Sequence, residues 1–160
     1  MTPDPELDLV LERTVDVPAS ELWLGWTVPE RLVQWFTPAP WVTTACRIDL
    51  RPGGGFAATM RSPEGLEVPN AGCYLEVVPE RRLTFTNVLR AGFRPATAKV
   101  HPDFPFVATV ELEPAAGGTR YRALVSHADV AGRKQHEAMN FHAGWGAALD
   151  QLVALIKRSR

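Results

Sequence analysis

The 160-residue sequence predicts an α+β domain. We expect one curved antiparallel sheet of about six or seven strands, two short helices after the first strand, and one long C-terminal helix. Three observations lead to this prediction. Apolar and polar residues alternate through most of the chain, as they do in strands with one buried face. Prolines interrupt the helical stretch near the N-terminus, whereas residues 130–157 contain no proline and follow helical periodicity.

The first strand and the two short helices are predicted from alternation and from proline positions. Period-two alternation runs over residues 8–17, and Arg13 falls on its apolar side. Pro18 opens a helix. Backbone N–H groups in the first helical turn have no partner within the helix, so the N–H that proline lacks is not missed there. Pro29 ends this helix because the residue before a proline avoids helical geometry, and it also starts the second helix. The result is two short helices directly after one strand.

The middle of the chain predicts strands joined by tight turns. For one of these strands two registers stay open, with either the Cys73 side or the Tyr74 side facing inward. Residues 91–105 contain three prolines and are predicted to form a long loop, of the kind that often acts as a lid. The predicted strands are 42–50, 56–60, 72–78, 83–89, 106–113 and 121–127.

The predicted sheet and C-terminal helix imply a gap between them. Residues 130–157 would form one helix of roughly 40 Å. About seven strands are too wide for one helix to cover, so a twisted sheet would curl around it. The gap is then either packed with side chains or kept open as a pocket. The apolar side chains predicted to face it are Trp35, Phe36, Trp41, Phe56, Met60, Phe85, Phe106 and Trp145.

Four polar residues are candidate ligand anchors in the same gap. His127 and His142 can each bind a ligand or act as an acid–base group, or each can bond a backbone carbonyl instead. Arg13 can pair with a ligand carboxylate, or with a buried partner such as Glu76. Asn87, on an otherwise apolar strand face, is a fourth polar group of this kind.

Composition excludes several classes of protein. Seventeen Lys and Arg against eighteen Asp and Glu give a net charge of −1, so we expect no nucleic-acid partner. No apolar run approaches the roughly 18 residues of a membrane span. The two cysteines, Cys46 and Cys73, are too few for a disulfide framework, which favours a cytoplasmic protein.

No catalytic constellation, metal site or cofactor is predicted. Ser126 and His127 are adjacent on a strand, so their side chains leave opposite faces. His136 and His142 lie six residues apart on a helix and do not share a face. The glycines at 53–55 lack the Lys-Ser/Thr of a phosphate-binding loop.

Ten short motifs, in order along the chain, resemble a known family. The sequence is similar to the homologues of the activator of heat-shock protein 90 ATPase, within the SRPBCC or START-like superfamily. The resemblance covers residues 9–155, and it depends on the order of the motifs rather than on any one of them. They are LER (11–13), VPA (17–19), WTVPE (26–30), QWF (34–36), DLRPGG (49–54), GCYLEV (72–77), PERRL (79–83), GGTRY (117–121), GW (144–145) and LDQL (149–152).

This resemblance implies a helix-grip fold, in which a curved sheet encloses an apolar cavity beside the C-terminal helix. We expect a single domain over residues 8–157. It should be a protein that binds a small apolar or amphipathic molecule rather than a classical enzyme. A cyclase or dehydratase with a cavity histidine is the alternative, and a co-chaperone-like module ranks third. A homodimer is left open. Fold alone assigns no reaction.

Overall fold

The computed structural model describes residues 2–97 and 104–159. Within them the chain forms nine strands and four helices. None of these helices combines the length and the apolar character needed to cross a membrane. The elements are β1 (Asp8–Val15), α1 (Ala19–Thr27), α2 (Pro29–Leu32), β2 (Val42–Ile48), β3 (Gly55–Arg61), β4 (Glu67–Val78), β5 (Arg82–Thr86), β6 (Leu89–Arg90), β7 (Arg94–Pro95), β8 (Phe106–Ala115), β9 (Gly118–His127), α3 (Val130–Ala138) and α4 (Phe141–Arg158).

Seven strands form one antiparallel sheet in the order β1-β9-β8-β5-β4-β3-β2. Hairpins join β2 to β3, β3 to β4, β4 to β5 and β8 to β9. The first strand pairs with the last, which places the N-terminal segment beside the strand that leads into α3. These features confirm the predicted α+β helix-grip fold.

Prolines set the two short helices as predicted. Pro18 lies at the N-cap of α1, and Glu21 in its first turn favours the positive end of the helix. Val28 is extended, at φ −102° and ψ 114°, because Pro29 follows it. Leu22 and Trp26 of α1 are buried against the core, so this helix closes one end of the sheet.

A β-bulge in β4 resolves the register that the sequence left open. Tyr74 pairs with Phe85, but the next paired residue is Glu76, so the pairing shifts at Leu75. Extra residues of this kind change which side chains face inward. Tyr74 therefore lies in the core before the bulge and Val77 packs against it afterwards. Each of the two predicted registers is right for only one part of the strand.

The prediction of one helix over 130–157 is wrong, because the chain breaks between α3 and α4. Asn140 adopts a left-handed conformation at φ 62°, which asparagine tolerates better than most residues. The Asp129 side chain caps α3 by accepting a hydrogen bond from the Gly132 N–H at 2.7 Å. The break makes α3 a separate element, which contacts β9, β1 and α4.

Part of the segment predicted as a loop over 91–105 is a short strand. Arg94–Pro95 pairs with Leu89–Arg90 as a two-stranded ribbon, which is not predicted from the sequence. Residues 98–103 lie outside the described residues, and with them the central part of the predicted lid.

Candidate functional site

A cavity of about 310 Å³ lies between the inner face of the sheet and α4. Its walls come from α1, from β3, β4, β5, β8 and β9, and from both C-terminal helices. Ala71 and Met139 line it and are also exposed to solvent, so they mark where it opens. Its large apolar lining residues are Trp26, Trp35, Phe36, Phe56, Met60, Phe85, Phe106, Phe141 and Trp145.

Aromatic rings build the α1 side of this cavity. The ring centroids of Trp26 and Trp35 lie 4.9 Å apart in an edge-to-face arrangement, and those of Trp26 and Phe85 lie 5.9 Å apart. Both indole N–H groups already have acceptors. Trp26 donates to Tyr121 Oη at 3.1 Å, and Trp35 donates to the Gly25 carbonyl at 2.9 Å. This wall therefore presents apolar surface to a ligand.

Tyr121 lines the cavity beside Trp26. Its side chain is buried, and its oxygen accepts the Trp26 indole N–H. Burial raises the pKa of this phenol, so the hydroxyl stays protonated at neutral pH. Within the described part of the chain its proton has no acceptor.

Two buried histidines form a hydrogen-bonded pair at the α3 side. His127 Nδ1 lies 2.8 Å from the Leu7 carbonyl oxygen, and its Nε2 lies 2.9 Å from His136 Nδ1. A carbonyl only accepts, so His127 Nδ1 carries a proton, and in the neutral ring its Nε2 then accepts. His136 must then donate through Nδ1, which leaves its own Nε2 unprotonated. Of the two rings, only His136 lines the cavity.

Aromatic neighbours surround the His136 ring. Its centroid lies 4.7 Å from Phe104, 5.1 Å from Phe141 and 6.4 Å from Trp145. Burial, and then the neighbouring His127, lower the pKa of His136 to about 4. The ring is therefore neutral at pH 7.

The sequence matches one family over most of its length. The family model described as Activator of Hsp90 ATPase homolog 1-like protein matches residues 16–157. The chain belongs to this family. The resemblance inferred from the ten motifs is confirmed.

Solved structures of proteins from several bacteria share the fold. A crystal structure of a protein from Nitrosomonas europaea is 46% identical, with a TM-score of 0.92 and 98% of each chain covered. A protein from Rhodobacter sphaeroides is 21% identical, with a TM-score of 0.83, covering 98% of this chain and 97% of that one. An AHSA1-like protein from Aeromonas hydrophila is 19% identical, with a TM-score of 0.70, covering 96% and 94%. The comparison with curated proteins returns no match.

The cavity of this family member gathers most of the predicted site residues and leaves out four. Arg13, Trp41, His127 and His142 do not line it. Those that do are Trp35, Phe36, Phe56, Met60, Phe85, Asn87, Phe106 and Trp145.

Arg13 faces the C-terminal helix, and the suggested pairing with Glu76 is wrong. Its Nη1 lies 3.0 Å from Asp150 Oδ1 and donates to the Gly146 carbonyl at 3.4 Å. Gly146 makes room for the guanidinium, which a Cβ at that position would strike. Glu76 instead pairs with Arg82 at 2.7 Å. That contact holds the pKa of the Glu76 carboxyl below its usual range.

Two other predicted polar residues form hydrogen bonds with backbone groups of the protein. His142 Nε2 lies 3.2 Å from the Val10 carbonyl oxygen, on an exposed part of α4. Asn87 lines the cavity, but its Nδ2 donates to the Phe104 carbonyl at 3.0 Å and its Oδ1 accepts the Phe106 N–H at 2.9 Å. The Asn87 amide thus holds the chain where it enters β8.

Three cavity residues, His136, Tyr121 and Trp26, are not predicted from the sequence. The expected continuous helix over 130–157 leaves His136 only as a possible metal ligand with His142. A usable signal was present, because Asp129 followed by Gly132 is typical of a capped helix start. That start places Gly132 and His136 four residues apart, on one face of a short helix.

Proposed function

We propose that this protein binds a small, largely apolar, uncharged ligand in the cavity between the sheet and α4. The observation that carries the proposal is the cavity itself, about 310 Å³ within an otherwise packed aromatic core. A largely apolar space of this size is typical of ligand-binding sites, and a ligand that fills it stabilises the folded state.

The charge of the lining supports an uncharged ligand. Among the described residues that line the cavity, none carries a formal charge at pH 7, since His136 is neutral there. A charged ligand would lose its hydration without gaining an opposite charge, which is strongly unfavourable. The few polar groups, including Tyr121, suit hydrogen bonds with a neutral molecule.

Binding is better supported than proton abstraction. A general base works best when its pKa lies near the operating pH. His136 is the imidazole on the cavity, and its pKa of about 4 makes it a weak base at neutral pH. Neither His127 nor His142 lines the cavity. A cyclase or dehydratase mechanism based on a cavity histidine therefore has little support.

The proposal is tested with an uncharged apolar probe and a cavity-filling variant. Gly144 lies on α4 at the cavity wall, and a Cβ at this position meets no atom within 4 Å. Gly144→Leu should therefore place its side chain in the cavity and weaken binding of 2-methoxynaphthalene at least about tenfold. Fluorescence titration of the probe measures the affinity.

Gly144→Ala is the matched control. It should raise the free energy of unfolding by about 0.5–1 kcal/mol, because alanine favours an α-helix over glycine, and it should leave probe binding nearly unchanged. Equal binding of the probe by Gly144→Leu and Gly144→Ala would overturn the proposal, as would wild-type protein that binds neither 2-methoxynaphthalene nor its hydroxyl analogue 2-naphthol.

A further inference from the structure

We infer that His136 Nε2 is a hydrogen-bond acceptor inside the cavity and selects ligands whose apolar body carries one hydroxyl or N–H donor. The inference rests on the proposed function and names the ligand class within it. It depends on three features: a fixed tautomer, a free nitrogen, and an apolar surround.

A hydrogen bond to the backbone fixes the tautomer of His127, and His127 in turn fixes that of His136. The Leu7 carbonyl accepts both the backbone N–H of His127 at 3.0 Å and its ring Nδ1–H at 2.8 Å. A carbonyl cannot donate, so the proton must stay on His127 Nδ1. In a neutral His127 ring, Nε2 is then an acceptor, and the 2.9 Å contact requires a proton on His136 Nδ1. A neutral imidazole carries one N–H, so His136 Nε2 is left with a lone pair.

This lone pair is available to a ligand. The His136 side chain is only 9% exposed, yet no described residue donates to its Nε2. Protein atoms do not fully enclose this nitrogen. If they did, His136 Nε2 would be a buried polar atom without a hydrogen-bond partner, and among the described residues Tyr74 Oη is the only such side-chain atom. In an imidazole ring the two nitrogens point to different sides. With Nδ1 directed at His127, Nε2 points away from it, and His136 lines the cavity.

The surround makes this acceptor selective. Phe106, Phe141 and Trp145 contact the His136 ring and also line the cavity. A ligand without a donor would cover the nitrogen with apolar surface and leave it unsatisfied, which is unfavourable for a buried polar atom. A ligand with a donor satisfies it. Selection then follows from hydrogen bonding, while the apolar body supplies most of the affinity.

Two probes that differ in one donor provide the test. 2-Naphthol carries a hydroxyl, and 2-methoxynaphthalene has the same ring system with the proton replaced by a methyl group. Both oxygens accept, so donation from Tyr121 does not distinguish them. Wild-type protein should bind 2-naphthol about tenfold more tightly than the ether.

The variant His136→Phe should bind both probes with similar affinity, and the ether at least as tightly as wild type does. His142→Phe, an exposed histidine away from the cavity, should keep the preference. Binding of neither probe by wild type would overturn the proposed function. Equal binding of both probes by wild type, or a preference that persists in His136→Phe, would overturn only the inference about His136.

A spectroscopic measurement keeps the test valid if His136→Phe does not fold. Two-bond ¹H–¹⁵N correlation spectra of wild-type protein separate protonated from unprotonated ring nitrogens. His136 Nε2 should give an unprotonated signal that shifts with 2-naphthol and much less with the ether. A protonated Nε2 in the free protein, or no difference between the probes, would contradict the inference.

Discussion

Replacing Leu152 by alanine is expected to lower the free energy of unfolding by about 3 kcal/mol. Leu152 is fully buried in α4 and packs against Gly25 of α1, where a Cβ would collide with it. The glycine lets the two helices approach closely, and it has no side chain with which to fill the space that alanine would leave. The cost should therefore include a cavity term as well as lost apolar burial. Urea denaturation measures the change.

Leu66→Ala is the control for this substitution. Leu66 lies in the turn between β3 and β4 and is 63% exposed, so the same chemical change should alter the free energy of unfolding by less than about 0.5 kcal/mol. If Leu152→Ala destabilised the protein no more than Leu66→Ala, the described packing of α4 against α1 would be wrong.

The free energy of unfolding is expected to fall by up to about 3 kcal/mol as the pH drops from 6.5 to 4, through His136 alone. In the unfolded chain this histidine takes up a proton near pH 6.5. In the folded protein its pKa is lowered to about 4 by burial and by His127, the titratable ring that faces it. Between these two values the unfolded state binds the extra proton, so acid favours unfolding. The contribution is fully present above pH 6.5 and is lost by about pH 4.

His136→Phe isolates this effect from the other acid-sensitive groups. The variant should show a shallower decline in the free energy of unfolding between pH 6.5 and 4, whatever its stability at neutral pH. His142→Phe, which removes an exposed histidine, should decline as wild type does. Denaturant titrations at several pH values give the slopes, and parallel slopes for wild type and His136→Phe would rule out a buried, neutral His136.

The sheet and the short helices were predictable because their signals are local. Alternation identifies a strand with one buried face, and Pro18 and Pro29 fix where helices begin and end. The β4 register was not predictable in the same way. The bulge at Leu75 depends on how β4 pairs with β5, and both faces of the segment carry residues that can be buried.

The break between α3 and α4 escaped prediction for a related reason. The apolar periodicity continues through Asn140, whose left-handed conformation ends one helix and starts the next. Treating the two as one helix placed His136 wrongly with respect to the sheet. The histidine pair was therefore missed, although both residues had been noticed separately.

The partners of the polar residues depended on tertiary packing. Arg13 was correctly placed on the apolar side of its strand, but that side meets α4, where Asp150 and Gly146 accept its hydrogen bonds. By contrast, eight of the predicted apolar and amide residues line the cavity. Four of them, Phe56, Met60, Phe85 and Phe106, lie on strands, where the inner face follows directly from the alternation.

The most direct test of the cavity as a ligand site is a crystal structure of the protein grown with 2-naphthol. We expect the naphthalene ring between Trp26 and Phe85 on one side and Trp145 of α4 on the other, within the cavity described above. A cavity filled by its own side chains, with the probe absent or held only on the outer surface, would contradict a ligand-binding role.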